Sequence, residues 1–336
     1  MYTAMVMTEP GKPVEPVTRS IPEPGRGEAV VRVRASSLNY HDVVNLMGLI
    51  KGPWPRVPMS DGAGEVVAVA DDVRSVSVGD RVIGTFHPRW LDGRLTRAVR
   101  AVVPGDTQDG WLQQYIAFPA DALAPSPAHL SDAEAASLVC AGTTAWSALR
   151  GATIQPGDVV VTQGTGGVSL FAVQLAKAHG ATVILTSSSD DKLEIGRSLG
   201  ADHLVNYRET PDWERAVRDI TGGEGADLVL DLGGPESLGR SVRACRMDGH
   251  VAIIGVLSGF GDAAIPVGDA MTRQIHLFGV SVGSVTAHRS LSAAVEANGI
   301  RPHISHTFDW SELAEAGRVQ QANEHIGKIA IKIPEG

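Results

Sequence analysis

Between Glu28 and Ala35 the chain alternates, with Val31 and Val33 on one side and Arg32 and Arg34 on the other. A period of two predicts a half-buried strand. Gly62–Ala70 is apolar and valine-rich and predicts a second strand. Val78–Gly84 reads as a turn feeding a short third one. Pro10, Pro13, Pro16, Pro22, Pro24, Pro53, Pro55 and Pro58 punctuate the same region. They demand loops and exclude long helices. Phe86–Gln114 is the least regular stretch, rich in arginine and carrying Trp90 and Trp111. It reads as a lobe or lid over a pocket.

The texture changes at Ser131-Asp-Ala-Glu134, a helix start with Ser as N-cap and Glu three residues on. From there strands and helices alternate. Strands are predicted over Asp158–Gln163, Ala181–Thr186, His203–Asn206, Asp227–Leu232 and Gly249–Val256. Helices fall between them, from a glycine turn to His179, then over Asp190–Leu199, Asp212–Thr221 and Pro235–Cys245. This is the pattern of an α/β doubly wound parallel sheet. The tail adds a strand at Ile275–Val282 and a helix at His288–Asn298 stopped by Gly299. A helix at Trp310–Asn323 and a last strand at Lys328–Ile333 follow. The predicted organisation is a β-rich domain over 1–125, a dinucleotide-binding domain over 126–270 and a C-terminal return over 271–336. The return completes the sheet and the first domain.

At 336 residues the chain makes about two domains of ~150 residues. With 43% hydrophobic and 20% charged residues it has the composition of a soluble globular protein. Glycine is enriched, 38 of 336 or about 11% against a usual ~7%, without a three-residue period that would indicate collagen. The net charge of -9 argues against nucleic acid or an anionic membrane as partner. A small anionic ligand in a local pocket stays possible. Cys140 and Cys245 are the two cysteines, far apart, so no disulfide framework is expected. No secretory leader and no apolar run of ~18 residues is visible. A cytoplasmic enzyme acting on a small molecule is the expectation.

The segment Val159–Gly180 carries the strongest chemical signal. A buried strand runs into Gly164-Thr165-Gly166-Gly167-Val168-Ser169 and then a helix. Glycines here allow a tight turn and a close approach to a pyrophosphate, which the free N–H groups of the helix start would hold. Ser169 stands at the third glycine position and is small enough for helix–strand packing. The next strand ends in Ser187-Ser188-Ser189 where NAD sites usually carry an acid. These hydroxyls, with Lys192, suit a 2′-phosphate and favour NADPH over NADH. Asp190 and Asp191 come late and read as caps of the next helix. If the serines also serve only as caps, the choice of cofactor stays open.

With these parts in this order, the chain resembles the medium-chain dehydrogenases/reductases along essentially its whole length. Ala35–Asp42, Val57–Glu65, Val78–Val82, Cys140–Trp146, Gly164–Ser169, Gly200–Tyr207 and Gly327-Lys328-Ile329 carry the resemblance. It implies a GroES-like catalytic domain beside a Rossmann domain. Zinc-using members place Cys in the first stretch, Gly-His-Glu in the second and Cys or an equivalent in the third. Here those positions hold Asn39 and Ser60-Asp61, and only Cys140 remains. The four cysteines of the structural zinc lobe are missing from Phe86–Gln114. No zinc is therefore expected. Cys140 reads as a small buried residue near the cofactor, and His303 and His306 as solvated side chains near a strand.

Ser37–Asp42 is similar to a stretch of zinc-free enoyl and quinone reductases, which carry Lys or Arg where this chain has His41. The resemblance places Tyr207 and Lys192 at the 2′-phosphate and Thr144 by the nicotinamide. It places Leu232, Gly233, Val256, Leu257, Val280 and Val282 along the nicotinamide-ribose half. Hydride transfer leaves negative charge on an oxygen, and without zinc hydrogen-bond donors must stabilise it, at ~3 kcal/mol each. By analogy Asn39 and Tyr40 are those donors, and Tyr40 or His41 the source of a proton. Asp42 reads as a backbone or arginine partner. Trp54, Phe86, Trp90 and Phe260 either wall an apolar pocket or pack in core and loops. The reading is an NADPH-dependent, zinc-independent oxidoreductase that transfers hydride to the activated C=C of an enone or quinone. The alternatives are a zinc-free alcohol dehydrogenase or carbonyl reductase, and a non-catalytic NADPH-binding protein. The resemblance also implies a homodimer, paired through Ile275–Val282.

Overall fold

A computed structural model describes residues 1–335. Two compact units divide the chain: Met1–Thr143 with the segment from Gly283 onward, and Thr144–Val282. In the first unit β1 (Tyr2–Val6) pairs antiparallel with β2 (Glu15–Arg19). A larger sheet uses β3 (Glu28–Leu38), β4 (Ala63–Val69), β5 (Arg81–Ile83), β6 (Tyr115–Pro119) and β7 (Ala124–Pro125). The second unit contributes β8 (Val159–Gln163), β9 (Thr182–Ser187), β10 (His203–Asn206), β11 (Ala226–Asp231), β12 (Cys245–Ile253) and β13 (His276–Gly279). The chain then returns to the first unit with β14 (Ile304–Asp309) and β15 (Lys328–Lys332).

The order of the larger first-unit sheet is β14-β15-β3-β4-β5-β7, with β6 also on β3. The alternation read in β3 is present: Val31 and Val33 are buried, while Arg32 pairs with Glu65 at 2.7 Å across β4. β3 runs beyond Ala35 to Leu38 because β15 pairs with its far end, Leu38 opposite Ile329. The helix Asp132–Ala136 has the expected Ser131 capping box and packs on β3, β4 and β15. That packing extends the first unit to Thr143, past the predicted boundary at 125. At the other end β13 stays with the second unit, so the division falls after Val282 rather than at 270.

Trp111 is fully buried and lies against Phe118, ring centroids 5.0 Å apart. It belongs to the core, so the expected lobe is narrower than Phe86–Gln114. Phe86, His87, Val103 and Trp111 are buried, and the exposed part lies around Arg89–Arg100. The ring leaves no room for a side chain beneath it. A Cβ at Gly62 would sit 2.1 Å from Trp111 Cδ2, and one at Gly84 2.1 Å from Cζ2.

The six strands of the second unit run parallel in the order β10-β9-β8-β11-β12-β13. This is the doubly wound arrangement expected from the sequence. β8 and β11 are neighbours although helices and two strands separate them in the chain, so the strand order reverses between them. Ligands of such sheets bind outside the carboxyl ends of the strands at that point. Val160, Val161, Val183, Leu185, Leu228 and Leu230 are buried, as strands covered on both faces require. The expected strand Ile275–Val282 is shorter, and Val282 turns out of it at φ 56°. A β-branched residue in the left-handed region is strained. No helix among the described residues is long and apolar enough to cross a membrane.

Gly62→Ala should lower unfolding free energy by about 1–3 kcal/mol, because the methyl overpacks against Trp111. Urea unfolding followed by tryptophan fluorescence checks this, and an unchanged midpoint contradicts the packing described.

Candidate functional sites in the two units

The glycine turn of the second unit is built as a cradle. β8 ends at Gln163, Gly164 takes φ +76°, and Gly166 is the N-cap of the helix Gly167–Ala178. A Cβ at Gly164 or Gly166 would meet nothing within 4 Å. The space beside this helix N-terminus is therefore open to an anion. Thr165 and Val168 complete the turn. Ser169, at the third fingerprint position, is buried and donates from Oγ to the Gln163 carbonyl at 2.6 Å. The serine thus closes the turn that a glycine would merely permit.

The ends of β8 and β11 are locked together by a buried polar network. Gln163 Nε2 donates to Ser241 Oγ at 2.8 Å, and its Oε1 accepts from the N–H of Leu232 and Gly233 at 3.2 and 3.1 Å. Asp231, fully buried, accepts from Ser241 at 2.5 Å, Ser237 at 2.8 Å and the Gly234 N–H at 2.9 Å. Leu232 and Gly233 are therefore fixed at the switch point. Val256 follows β12 half-buried, Leu257 is 59% exposed, and Val280 donates its N–H to the Ile253 carbonyl at 3.0 Å. Thr144 is buried near the start of the helix Thr143–Gly151.

At the end of β9, Ser187 is buried and its carbonyl accepts from the Tyr207 N–H at 3.0 Å. Ser189 is the N-cap of the helix Asp190–Ser198. Asp190 is the first helical residue, one place after the cap, and its carboxylate accepts from Asn206 at 2.9 Å. A pocket of about 390 Å³ opens here, lined by Ser188, Ser189, Asp191, Asn206, Arg208 and others. Lys192 is half-buried in the first turn of that helix and Tyr207 is 41% exposed. Arg208 is a cation of this pocket that the sequence reading missed.

In the first unit, residues expected around a reacting group form a buried polar cluster. Asn39 directly follows β3 and is N-cap of the helix Tyr40–Leu46. Asp42 accepts from the Asn39 N–H at 2.9 Å, Asn39 Nδ2 at 3.1 Å and the Ser60 N–H at 2.8 Å. The backbone role read for Asp42 is present. Asn39 Nδ2 also reaches Ser60 Oγ at 3.4 Å. Lys328 enters from β15 with its side chain 4% exposed. Its Nζ donates to Asn39 Oδ1 at 2.5 Å and the Leu38 carbonyl at 2.9 Å, and lies 3.5 Å from Asp61 Oδ2. Ser37 Oγ donates to Asp61 Oδ2 at 3.0 Å, while Asp61 Oδ1 has no hydrogen-bond partner. Burial pushes the Asp61 carboxyl up to about 6, against the pull of the Lys328 charge. Burial raises Asp42 as well, against His41 and its hydrogen bonds.

Tyr40 is the first helical residue and is 40% exposed. His41 does not point freely into solvent: its Nε2 lies 3.0 Å from Asp106, and its ring meets Phe86 edge-on at 5.0 Å. Trp54 lies under the Arg56 guanidinium at 3.9 Å, Trp90 is half-buried, and Phe260 is 78% exposed in the second unit. Cys140 is half-buried rather than fully buried, on a single π-helical turn, Leu138–Gly142, whose other residues are buried. His303 and His306 are half-buried. His306 lies within β14, stacked on Phe308 with Nδ1 2.9 Å from Ser305 Oγ. No three His, Cys, Asp or Glu residues among those described gather as a metal site.

Sequence reading missed Lys328 and Asp106 as site residues. Gly327-Lys328-Ile329 was visible as a motif, but only the β3–β15 pairing brings the lysine to Asn39. Asp106 lies in an irregular loop with no spacing signal.

Comparison with known proteins agrees with this architecture. Residues 25–128 match the alcohol dehydrogenase GroES-like domain and 167–297 the zinc-binding dehydrogenase family. A zinc-type alcohol dehydrogenase-like protein of Schizosaccharomyces pombe is 40% identical over 315 residues, 91% of each chain. A 2-haloacrylate reductase of a Burkholderia species is 29% identical over 350 residues, 98% of this chain and 99% of its own. The crystal structure of a putative alcohol dehydrogenase from Sinorhizobium meliloti 1021 superposes with a TM-score of 0.92 at 39% identity, covering 99% of this chain and 98% of that one. The Rossmann sheet, the GroES-like unit and these relatives together make the chain an oxidoreductase of the medium-chain dehydrogenase/reductase superfamily.

Proposed function

We propose that the protein is an NADPH-dependent, zinc-independent oxidoreductase that transfers hydride to an activated C=C bond of an enone or quinone. The observation that carries this is the buried Lys328 cluster at the positions where zinc-using members hold their ligands. An amide, a hydroxyl and a carboxylate beside an ammonium do not fit a zinc site, which takes thiolate, imidazole and carboxylate donors. Lys328 Nζ is already 2.5 Å from Asn39 Oδ1 and 3.5 Å from Asp61. A divalent cation at the same ligands would face that ammonium at close range in a low-dielectric site.

The glycine turn, with Gly164 and Gly166 open to solvent space, fits a dinucleotide pyrophosphate. Bound there, the reduced nicotinamide supplies the hydride. Ser187, Ser188, Ser189, Lys192 and Tyr207, with Arg208 in the same pocket wall, suit a 2′-phosphate. Asp190, the nearest acid in sequence, is engaged by Asn206. Asn39 is the oxyanion donor in this reading. Its long 3.4 Å contact to Ser60 leaves one N–H to give, and the Lys328 charge on Oδ1 polarises the amide. Tyr40 is the adjacent hydroxyl. The similarity to a protein named 2-haloacrylate reductase supports reduction of C=C, and the alcohol dehydrogenase relatives support the second reading, a zinc-free carbonyl reductase. A homodimer through the β13 edge of the sheet belongs to the same proposal.

Incubating metal-free protein with NADPH and a simple α,β-unsaturated ketone should give the saturated ketone. The allylic alcohol as product sinks the C=C reading in favour of carbonyl reduction. Lys192→Ala should raise KM for NADPH about tenfold, the loss of one charged hydrogen bond, and leave KM for NADH unchanged. Equal effects on both cofactors contradict the 2′-phosphate role.

The Asp61 carboxyl generates a pH prediction. Its folded value of about 6 lies above the unfolded 3.8, so the native state holds the proton more tightly. Stability from this group therefore rises as pH falls from 7 through 6 and is lost as pH rises. Relative to Asp61→Asn, the wild type should gain about 1 kcal/mol between pH 7 and pH 5 in urea unfolding. A difference independent of pH contradicts the buried, hard-to-ionise carboxyl.

A further inference from the structure

The lobe around Arg89–Arg100 carries a charge that nothing in its own unit balances. Arg89, Arg94, Arg97 and Arg100 are exposed, and among the described residues none makes an ion pair or a side-chain hydrogen bond. Asp92 is the one acid of the stretch, and its carboxylate accepts from the Gly93 N–H at 2.7 Å. The chain as a whole has carboxylates to spare, 38 acidic residues against 29 basic ones. Arg32, Arg81, Arg246 and Arg301 each reach one. Guanidiniums this close in sequence repel one another, and salt screens them only in part. A surface kept in that state suits an anion from outside the chain.

The lobe is held in place. The carbonyls of Trp90 and Leu91 accept from the N–H groups of Val285 and Thr286, at 2.8 and 3.0 Å, where the helix Val285–Asn298 begins. Trp90 donates from its own N–H to the His87 carbonyl at 2.9 Å and from Nε1 to the Gly93 carbonyl at 2.9 Å. Thr96 caps the short helix Arg97–Arg100 and accepts from the Val99 N–H at 3.4 Å. Arg97 and Arg100 stand three residues apart on that turn and so share a face. Each offers a planar fork of donors, and two forks on one face match the oxygens of a single carboxylate or phosphate.

A row of rings joins this lobe to the Asn39 cluster within the same unit. His41 meets Phe86 with centroids 5.0 Å apart, Phe86 meets His87 at 4.9 Å, and His87 meets Trp90 at 6.1 Å. Arg100 lies near enough to the row that its charge, after burial, helps hold His87 down to about 4. Three ring steps are a span that one small molecule covers. A long polyanion fits poorly, because the net charge of -9 repels it beyond the lobe. A single anionic group on a small molecule fits.

We propose that the arginine lobe binds the anionic end, a carboxylate or a phosphate monoester, of a substrate whose activated C=C bond lies at the other end of the molecule. This rests on the reductase reading. Arg97 and Arg100 hold the anion, and Arg89 and Arg94 add to the field that draws it in. The lobe selects the substrate and takes no part in the hydride step.

The test uses three long-chain enones that differ only at the far end: a carboxylate, a phosphate monoester and a methyl ester. With saturating NADPH, the wild-type KM for the ester should be about tenfold that for the favoured anion, and the larger ratio tells carboxylate from phosphate. In Arg97→Gln/Arg100→Gln that ratio should fall to near one. In Arg26→Gln, which removes an exposed charge elsewhere in the unit, it should stay near ten. A wild-type ratio of one for both anions, or equal falls in the two variants, overturns the proposal. Isothermal titration of the NADPH-saturated protein with the saturated carboxylate and phosphate analogues reads binding without turnover. Binding in wild type that the double variant loses supports the site, and no binding in wild type overturns it. Wild type that binds these analogues through the two arginines yet reduces none of the enones refutes the reductase reading and with it the substrate role, but not the anion site.

Discussion

A lysine ammonium placed in a protein core costs several kcal/mol unless oxygen atoms surround it. Lys328 meets that demand with three: the Leu38 carbonyl, Asn39 Oδ1 and Asp61 Oδ2. Much of the first unit follows from it. The ammonium draws the end of β3 and the start of the helix Tyr40–Leu46 onto the last strand, β15. Its Nζ donates to the Asn39 oxygen, while the amide nitrogen faces Asp42 and Ser60. One ammonium among two buried carboxylates leaves the cluster short of positive charge. Burial is the main reason that both Asp42 and Asp61 are hard to ionise, and the hydrogen bond and charge of Asp106, with the charges of Asp42 and Asp61, are why the neighbouring imidazole gains by carrying a proton.

The second unit solves a related problem with a different set of groups. Its cofactor edge needs an irregular backbone held still where strands stop. Asp231 and Gln163 accept and donate across the gap between β8 and β11, and Ser237 and Ser241 fill the remaining acceptor sites. The network is dense enough that the buried carboxylate carries four donors of its own chain. Rigid strand ends beside an open glycine turn are what a dinucleotide site requires. Val282, strained at the last residue of this unit, adds a second place where backbone shape is imposed by its surroundings.

Periodicity and glycine placement made the second unit legible. His203–Asn206 is the strand that the residues predict, and Asp158–Gln163 and Asp190–Leu199 differ from the observed elements by a residue at one end. The first unit was harder. β2, Glu15–Arg19, contains Pro16 and is largely exposed, so it shows no alternation; it pairs only with β1, where proline is tolerated. β14 mixes Ser, His and Thr with apolar residues and lies half-buried throughout much of its length. Trp111 looked like part of a surface lobe, and only the two glycines beneath its ring mark it as core. For the site, Asn39, Tyr40 and the glycine turn could be found from motifs. Lys328 and Asp106 could not, because each reaches the cluster through tertiary pairing across hundreds or tens of residues.

The proposed function turns on whether the ammonium-held cluster of Lys328, Asn39 and Asp61 works without a metal. Metal content and turnover measured on the same sample test it most directly. The purified protein is assayed with NADPH and an acceptor before and after exhaustive chelation, and again after zinc is added back. The account predicts no stoichiometric zinc and a rate that neither chelation nor zinc changes. One zinc per chain, with turnover lost on its removal and restored by its return, would contradict it.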